Sequence, residues 1–235
     1  MTQPLKEKAA AVYHLLQEEY GHPDWRPDFE PMDELVLTML SANTSDINSG
    51  RAFEQLKATY GGDWQAVLDA PLDELTEVIR SAGMGPTKAP RIQAALRRIL
   101  DERGAFDISF LAELPVEDGL AWLASLDGVG HKTASIVLLF CFNKPAFPVD
   151  THVQRVSQRL GLAGPKDDPA KIKALWESLA PGDWFYALHL NLIRHGREVC
   201  IARAPRCEIC VLRDLCDYYA DNIEGRRCGR FQTVP

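Results

Sequence analysis

LDGVGHKTA, residues 126–134, and PVDTH, residues 148–152, are the two stretches that decide how this chain is interpreted. In the first, Gly128 and Gly130 precede a lysine and an apolar helical segment. Glycines permit a tight turn whose backbone N–H groups approach a phosphate at the start of a helix. In the second, Asp150 stands at the expected start of another helix. The amine, the carboxylate and the turn predict a site for covalent chemistry on nucleic acid; an ordinary helix–turn–helix corner is the alternative.

Helical periodicity dominates the rest of the chain, and convincing strand alternation is absent. Glycine and proline breakers separate the periodic segments. The sequence therefore predicts an all-α protein of roughly ten or more helices on ordinary helix lengths, with Asp46 as a candidate cap for a helix that runs toward Tyr60. The spacing i, i+3, i+4, i+7 recurs at Leu35, Thr38, Met39 and Ala42, and again at Ile92, Ala95, Leu96 and Ile99.

The balance of charge neither excludes nor establishes a nucleic-acid partner. The net charge of −7 argues mildly against one, because phosphate contacts need local positive charge. Basic side chains are nevertheless concentrated in residues 88–98 and 194–206. An acidic protein with basic strips remains compatible with DNA.

The apolar content predicts a folded protein that does not enter a membrane. The longest apolar run, residues 136–142, is far too short for a membrane span. The N-terminal segment reads as an amphipathic helix and lacks the layout of a signal peptide. We therefore expect a cytoplasmic location, associated with the nucleoid if the source is bacterial.

Four of the six cysteines lie in one short window with the spacing C-x6-C-x2-C-x5-C. In a cytosolic chain such density favours a metal site over disulfides. Zinc usually takes two tight cysteine pairs, whereas a cubane iron–sulfur cluster accepts loops of unequal length. The spacing favours iron–sulfur and leaves zinc open. The predicted ligands are Cys200, Cys207, Cys210 and Cys216.

Two arginines, Arg203 and Arg206, lie in the six-residue loop between the first two of these cysteines. A loop fixed at both ends by a metal can hold such side chains toward phosphates. Two solvated surface arginines are an equally good interpretation of the sequence alone.

Together, LxGVGxKTA, VDTH and the cysteine spacing, in this order, resemble the endonuclease III family of DNA glycosylases in the helix-hairpin-helix superfamily. The resemblance runs from about Leu35 to Cys216. Further matching stretches are LSANTSD at residues 40–46, GMGPTKA at 83–89 and HGREVCIARAPRC at 195–207.

The resemblance implies two helical domains that flank a DNA-binding cleft. Residues 25–144 would form a six-helix barrel with the helix-hairpin-helix motif. Residues 1–24 and 145–217 would form an iron–sulfur domain in which the four cysteines hold a [4Fe-4S] cluster. Residues 218–235 are expected to be a mobile tail.

The resemblance also implies a bifunctional DNA glycosylase and abasic-site lyase of base excision repair. Its catalytic lysine falls on Lys132, whose amine would form a Schiff base with the sugar. Its catalytic aspartate falls on Asp150, which would stabilise positive charge on the sugar and take up protons. The expected partner is duplex DNA with oxidised pyrimidines, other damaged bases or abasic sites, bound by a monomer.

The remaining DNA contacts are expected at positions that each have an ordinary structural alternative. Base excision requires the base to leave the stack, and the positions that fill the gap fall near Asn43 and Met84. Met84 could instead be core, and Asn43 a cap or turn residue. His152 could contact phosphate, orient the aspartate or be structural. The hairpin positions expected to contact phosphate are Gly128, Gly130, His131 and Thr133.

Three residues depart from the family pattern. Asp127 stands where the hairpin usually has proline, His131 replaces a basic residue, and Asn43 replaces glutamine. These changes bear on damage preference and opposite-base contacts. The alternatives left open are a monofunctional mismatch glycosylase, which generally lacks the lysine, and a non-catalytic zinc-containing DNA-binding module.

Overall fold

The computed structural model describes residues 3–224 and confirms the all-α prediction. Within that range the chain forms twelve α-helices and no strand. It divides into two compact units, one of residues Arg26–Lys144 and the other of the segments on either side.

The unit of residues Arg26–Lys144 contains seven α-helices in its described residues, of which α4 and α5 are only six and seven residues long. Short 3₁₀ turns at Arg80–Ala82 and Ser109–Ala112 join some of them. The helices are α2 (Pro31–Ser41), α3 (Asp46–Tyr60), α4 (Trp64–Asp69), α5 (Leu72–Val78), α6 (Gly85–Arg103), α7 (Val116–Ala124) and α8 (His131–Phe142).

The core of this unit follows the predicted periodicity, with one local exception. The four periodic residues of α6 are all buried, and so are the first three of α2. Ala42 is exposed, because α2 ends at Ser41 and Ala42 is its C-cap.

The N-cap of α3 is Ser45 and not the predicted Asp46. The Ser45 hydroxyl accepts the hydrogen bond from the backbone N–H of Asn48. A serine at the N-cap satisfies one of the unpaired N–H groups of the first turn.

The other unit is assembled from the two ends of the chain. Helix α1 packs against α10 and α11, and α9 packs against α11. The helices are α1 (Gln3–Tyr20), α9 (Thr151–Arg159), α10 (Pro169–Leu179), α11 (Phe185–Glu198) and the single turn α12 (Asp217–Tyr219).

The chain remains helical for a short distance after the last cluster cysteine. A π-helical turn at Ala220–Glu224 follows α12. Lys8 of α1 forms an ion pair of 2.8 Å with Asp217. The rest of the predicted tail, residues 225–235 with Cys228, lies outside the described residues. No helix within residues 3–224 combines the length and the apolarity that crossing a membrane requires.

Candidate functional site

Of the two glycines in the hairpin turn between α7 and α8, Gly128 and Gly130, the backbone conformation requires only the first. Gly128 has a φ of +80°, a region that residues with a side chain rarely adopt. A Cβ there would lie 2.9 Å from Cδ of Arg91. Arg91 also forms a long ion pair, 3.8 Å, with Asp127. Asp127 thus faces the guanidinium of an arginine whose side chain packs across the turn. Gly130 has an ordinary extended backbone, and a Cβ there would meet nothing.

The first turn of α8 is an open helix N-terminus that carries the predicted nucleophile. Gly130 is the N-cap, and no side chain caps the backbone N–H groups that follow. Lys132 is exposed, and within residues 3–224 its Nζ forms no hydrogen bond or ion pair. His131 is exposed as well, and Thr133 is half-buried. Unpaired N–H groups at a helix start attract anions. The structure therefore presents an amine beside a surface suited to a phosphate.

Asn43 and Met84 lie on two loops that share a pocket with the hairpin. Both adopt left-handed backbone conformations, with φ of +56° and +54°, which is uncommon for residues with a side chain. Met84 is 53% exposed, so it is not a core residue. Asn43 is exposed after the end of α2. The two residues line the same pocket as Gly128 and Arg91.

Asp150 is the N-cap of α9. Its Oδ1 accepts a hydrogen bond of 2.8 Å from the backbone N–H of Val153, and its other oxygen accepts none from the described residues. The side chain is half-buried. The cap therefore leaves the second carboxylate oxygen available for the predicted chemical role.

The segment that leads to Asp150 is held rigidly. Phe147 is fully buried, and its backbone N–H donates to Oε1 of Glu177 at 2.9 Å. The Nδ1 of His189 lies 3.1 Å from the carbonyl oxygen of Pro148. Bonds to two different helices fix the backbone immediately before the aspartate. Neither Glu177 nor His189 could be identified as a partner from the sequence.

His152 packs against α11 and has a protein partner. Its Nδ1 lies 3.0 Å from Nη2 of Arg155, and a Cβ on Gly196 would lie 2.8 Å from its own Cβ. Arg155 also donates to the carbonyl oxygens of Gly196 and Cys200. These contacts favour a structural histidine. Arg155, which the sequence analysis did not single out, joins α9 to the first cysteine of the cluster segment.

The four predicted ligand cysteines line one cavity, together with Arg159. Among residues 3–224, no three of these or other potential ligands are grouped so that they could hold a single metal ion. Burial, followed by the neighbouring cysteines, raises the pKa of Cys207 and Cys216 and raises that of Cys210 to about 11. Such thiols ionise when a cationic cofactor occupies the space between them. The donor set thus fits a cluster of several iron atoms.

Arg159 fixes the loop that carries the two predicted phosphate contacts. Its guanidinium donates to Sγ of Cys200 at 3.3 Å and to the carbonyl oxygens of Ile201 and Ala202. A backbone bond from Arg206 to Val199 closes the loop. The side chains of Arg203 and Arg206 are exposed, and their guanidinium groups have no partner within residues 3–224. The sequence contains one signal for these contacts to the loop. Arg155 and Arg159 are spaced i and i+4, which places both arginines on the same face of α9.

Comparison with known protein families agrees with this geometry. Residues 36–181 match the model of the HhH-GPD superfamily of base excision DNA repair proteins. Residues 200–216 match the iron–sulfur binding domain of endonuclease III. The chain belongs to the endonuclease III family.

Individual endonuclease III proteins match most of the chain. The one from Sulfolobus acidocaldarius is 35% identical over 192 residues, 81% of this chain and 83% of that protein. The one from Haemophilus influenzae is 34% identical over 214 residues, 91% of this chain and 96% of that protein. A solved structure of a trapped endonuclease III–DNA covalent intermediate superposes with a TM-score of 0.81 at 28% identity, covering 94% of this chain and 99% of that one.

Membership in the endonuclease III family establishes the class of enzyme and its cofactor. The chain is a DNA glycosylase and abasic-site lyase of base excision repair. The segment of residues 200–216 is its iron–sulfur segment, which carries a [4Fe-4S] cluster.

Proposed function

We propose that this enzyme excises oxidised pyrimidines from duplex DNA and then cleaves the strand through a covalent intermediate on Lys132. The observation that carries the proposal is the unpaired, exposed amine on the open first turn of α8, directly after the glycine turn. A relative of similar length has been captured as a covalent complex with DNA. Because every residue in the proposal belongs to one chain, the enzyme is proposed to act as a monomer.

Lys132 supplies the nucleophile. Its neutral Nζ attacks C1′ of the damaged nucleotide, the bond between C1′ and the base breaks, and the base leaves with a proton that Nζ loses through Asp150. The sugar ring then opens as the remaining Nζ proton moves to O4′, which leaves an imine between Nζ and C1′. Loss of a proton from C2′ breaks the C3′–O bond, and the 3′ phosphate departs. Water hydrolyses the imine and restores the amine.

Asp150 stabilises the positive charge that develops on the sugar and accepts the proton that Nζ loses. A fixed carboxylate suits both tasks, because it does not need to reorganise as charge develops. The capping bond to Val153 and the anchored segment before it hold the carboxylate in one orientation. The iron–sulfur cluster, held by the four cysteines, supplies a rigid cross-link to its loop.

The remaining residues bind and deform the DNA. The N–H groups at the start of α8 bind a phosphate, and Arg203 and Arg206 bind others. Met84 and Asn43 enter the gap that the extruded nucleotide leaves, because both are exposed on loops that share one pocket. Filling that gap offsets part of the energy of unstacking.

A single-turnover assay on two duplexes tests this function. One duplex contains thymine glycol and the other a G·T mismatch with no oxidised base. We expect base release and strand cleavage on the first and neither on the second. Excision confined to the mismatch would support a monofunctional mismatch glycosylase, and binding without reaction on either would support a non-catalytic module.

A further inference from the structure

A buried lysine joins the two loops that carry Asn43 and Met84. Lys88, on the first turn of α6, is 6% exposed. Its Nζ donates to the carbonyl oxygen of Leu40 at 2.7 Å and to that of Ala82 at 2.8 Å. Within the described residues it has no carboxylate partner. A charged amine is thus buried to bridge two backbone carbonyls.

The two carbonyls lie just before the two gap-filling residues. Leu40 is in the last turn of α2, three residues before Asn43, and Ala82 ends a 3₁₀ turn two residues before Met84. Carbonyls at helix ends lack an N–H partner within the helix. Lys88 therefore terminates both segments at once and sets the distance between them.

The two hydrogen bonds of Lys88 lie close in sequence to two residues whose backbone conformation is unfavourable. Asn43 and Met84 both have positive φ, and such conformations persist only when the surrounding structure enforces them. Burial lowers the pKa of the Lys88 ammonium, so placing it here costs free energy. Hydrogen bonds from a charged donor are stronger than neutral ones, and this offsets that cost.

We infer that Lys88 is a positioning residue: by binding the carbonyls of Leu40 and Ala82, it holds Asn43 and Met84 at the separation at which they enter the DNA together. This inference rests on the gap-filling role in the proposed function. Lys88 itself contacts neither the base nor the sugar. Its effect on excision is transmitted entirely through the two loops.

The test compares Lys88→Met with Lys144→Met. Lys144 lies in the same unit, and its Nζ donates to one carbonyl, that of Leu114, at 2.6 Å. Both variants lose a lysine–carbonyl contact, but only the first releases the loops. We expect Lys88→Met to slow single-turnover excision roughly tenfold to a hundredfold. We also expect it to reduce the fluorescence rise of 2-aminopurine placed opposite the lesion. Lys144→Met should lower the melting temperature without either effect.

A variant cycle separates positioning from general destabilisation. In an Asn43→Ala/Met84→Ala background, Lys88→Met should cause no further loss of rate, because the loops have nothing left to insert. If Lys88→Met slows excision by the same factor in both backgrounds, the inference is wrong. If Lys88→Met does not fold, Lys88→Gln, which stays polar but is too short to reach both carbonyl oxygens, takes its place in the cycle with the same expectation.

The cycle also distinguishes this inference from the function on which it rests. Wild-type protein that releases no base contradicts the proposed function. Normal excision by the Asn43→Ala/Met84→Ala protein contradicts the gap-filling role and the inference together. Slow excision by that protein, with a full-rate Lys88→Met protein, contradicts the inference alone.

Discussion

At the scale of single residues, Asp150 caps α9 and is also the carboxylate to which the proposed function assigns chemistry on the sugar. Its Oδ1 caps α9 through the N–H of Val153, while the second oxygen remains for the sugar. A capping aspartate and a catalytic one are usually treated as competing interpretations. In this structure Oδ1 caps the helix, and the other carboxylate oxygen is available for the proposed chemistry.

Two substitutions at Asp150 separate these tasks. Asp150→Asn keeps an oxygen that can cap the helix, so the melting temperature should stay near that of wild type while base excision falls by more than tenfold. Asp150→Ala should lose excision and also about 1 kcal/mol of stability with the cap. Thermal melting and single-turnover excision measure the two effects. Equal stability loss in both variants would contradict the division of tasks.

Single residues also mark the limit of sequence reasoning. Lys132 and Asp150 stand out in the sequence because their motifs are short and contiguous. Lys88 and Arg155 do not, because their roles depend on carbonyl oxygens 48 and 45 residues away in the chain. Nothing in the local sequence indicates which distant carbonyl a lysine or arginine will bind.

At the scale of structural elements, the hairpin and the cysteine segment each carry a set of predicted site residues. The hairpin turn uses its two glycines differently. Gly128 needs a positive φ and has no room for a Cβ, whereas Gly130 has ordinary dihedrals and open space around it. The two glycines look alike in the sequence, and only the backbone distinguishes them.

Alanine at each glycine should affect a different property of the protein, its stability at Gly128 and its DNA affinity at Gly130. Gly128→Ala should cost about 2 kcal/mol of stability, from the left-handed backbone and the clash with Arg91. Gly130→Ala should leave stability almost unchanged but weaken DNA binding, because the new methyl group occupies the space in front of the N–H groups. Denaturant unfolding and a binding titration measure the pair. Unchanged affinity in Gly130→Ala would contradict the phosphate contact.

A second pair of matched variants tests the predicted ligands in the cysteine segment. Cys216→Ala removes one wall of the cavity and should yield protein with little visible iron–sulfur absorption and a lower melting temperature. Cys141→Ala, in the other unit and outside the cavity, should keep full colour. Iron analysis and visible spectra of the purified variants measure this. Full iron content in Cys216→Ala would contradict its assignment as a ligand.

At the scale of the whole molecule, an acidic chain must bind a polyanion through a few local cations. The net charge is −7, so its long-range field does not favour DNA, and in the proposed function binding depends on the open helix N-terminus and the exposed arginines. Each phosphate contact makes affinity more sensitive to salt.

The dependence of DNA affinity on salt concentration therefore reports the number of phosphate contacts. Arg203→Ala and Arg206→Ala should each lower the slope of log affinity against log salt by about 1. Arg26→Ala, which removes an exposed arginine with an aspartate partner, should leave the slope unchanged. Titrations at several salt concentrations measure the slopes. Equal slopes for all three variants would contradict the assignment of the loop arginines.

The all-α fold and the family could be predicted from sequence, because the helical periodicity and three spaced motifs extend over nearly the whole chain. The exposure of Met84 could not, since a methionine beside a helix start fits a core equally well. The ends of helices were also uncertain: Ser45 and Asp46 are both good caps, and the path of the backbone decides between them.

The covalent step on Lys132 is the central claim, and borohydride trapping tests it most directly. Wild-type protein is incubated with thymine glycol duplex and borohydride, beside Lys132→Gln and Lys171→Gln, the latter a first-turn lysine of α10. The wild-type and Lys171→Gln proteins should form a reduced adduct, with DNA attached to Lys132 in the digested peptide, and Lys132→Gln should form none. An adduct in Lys132→Gln, or none in the wild type, would contradict the account.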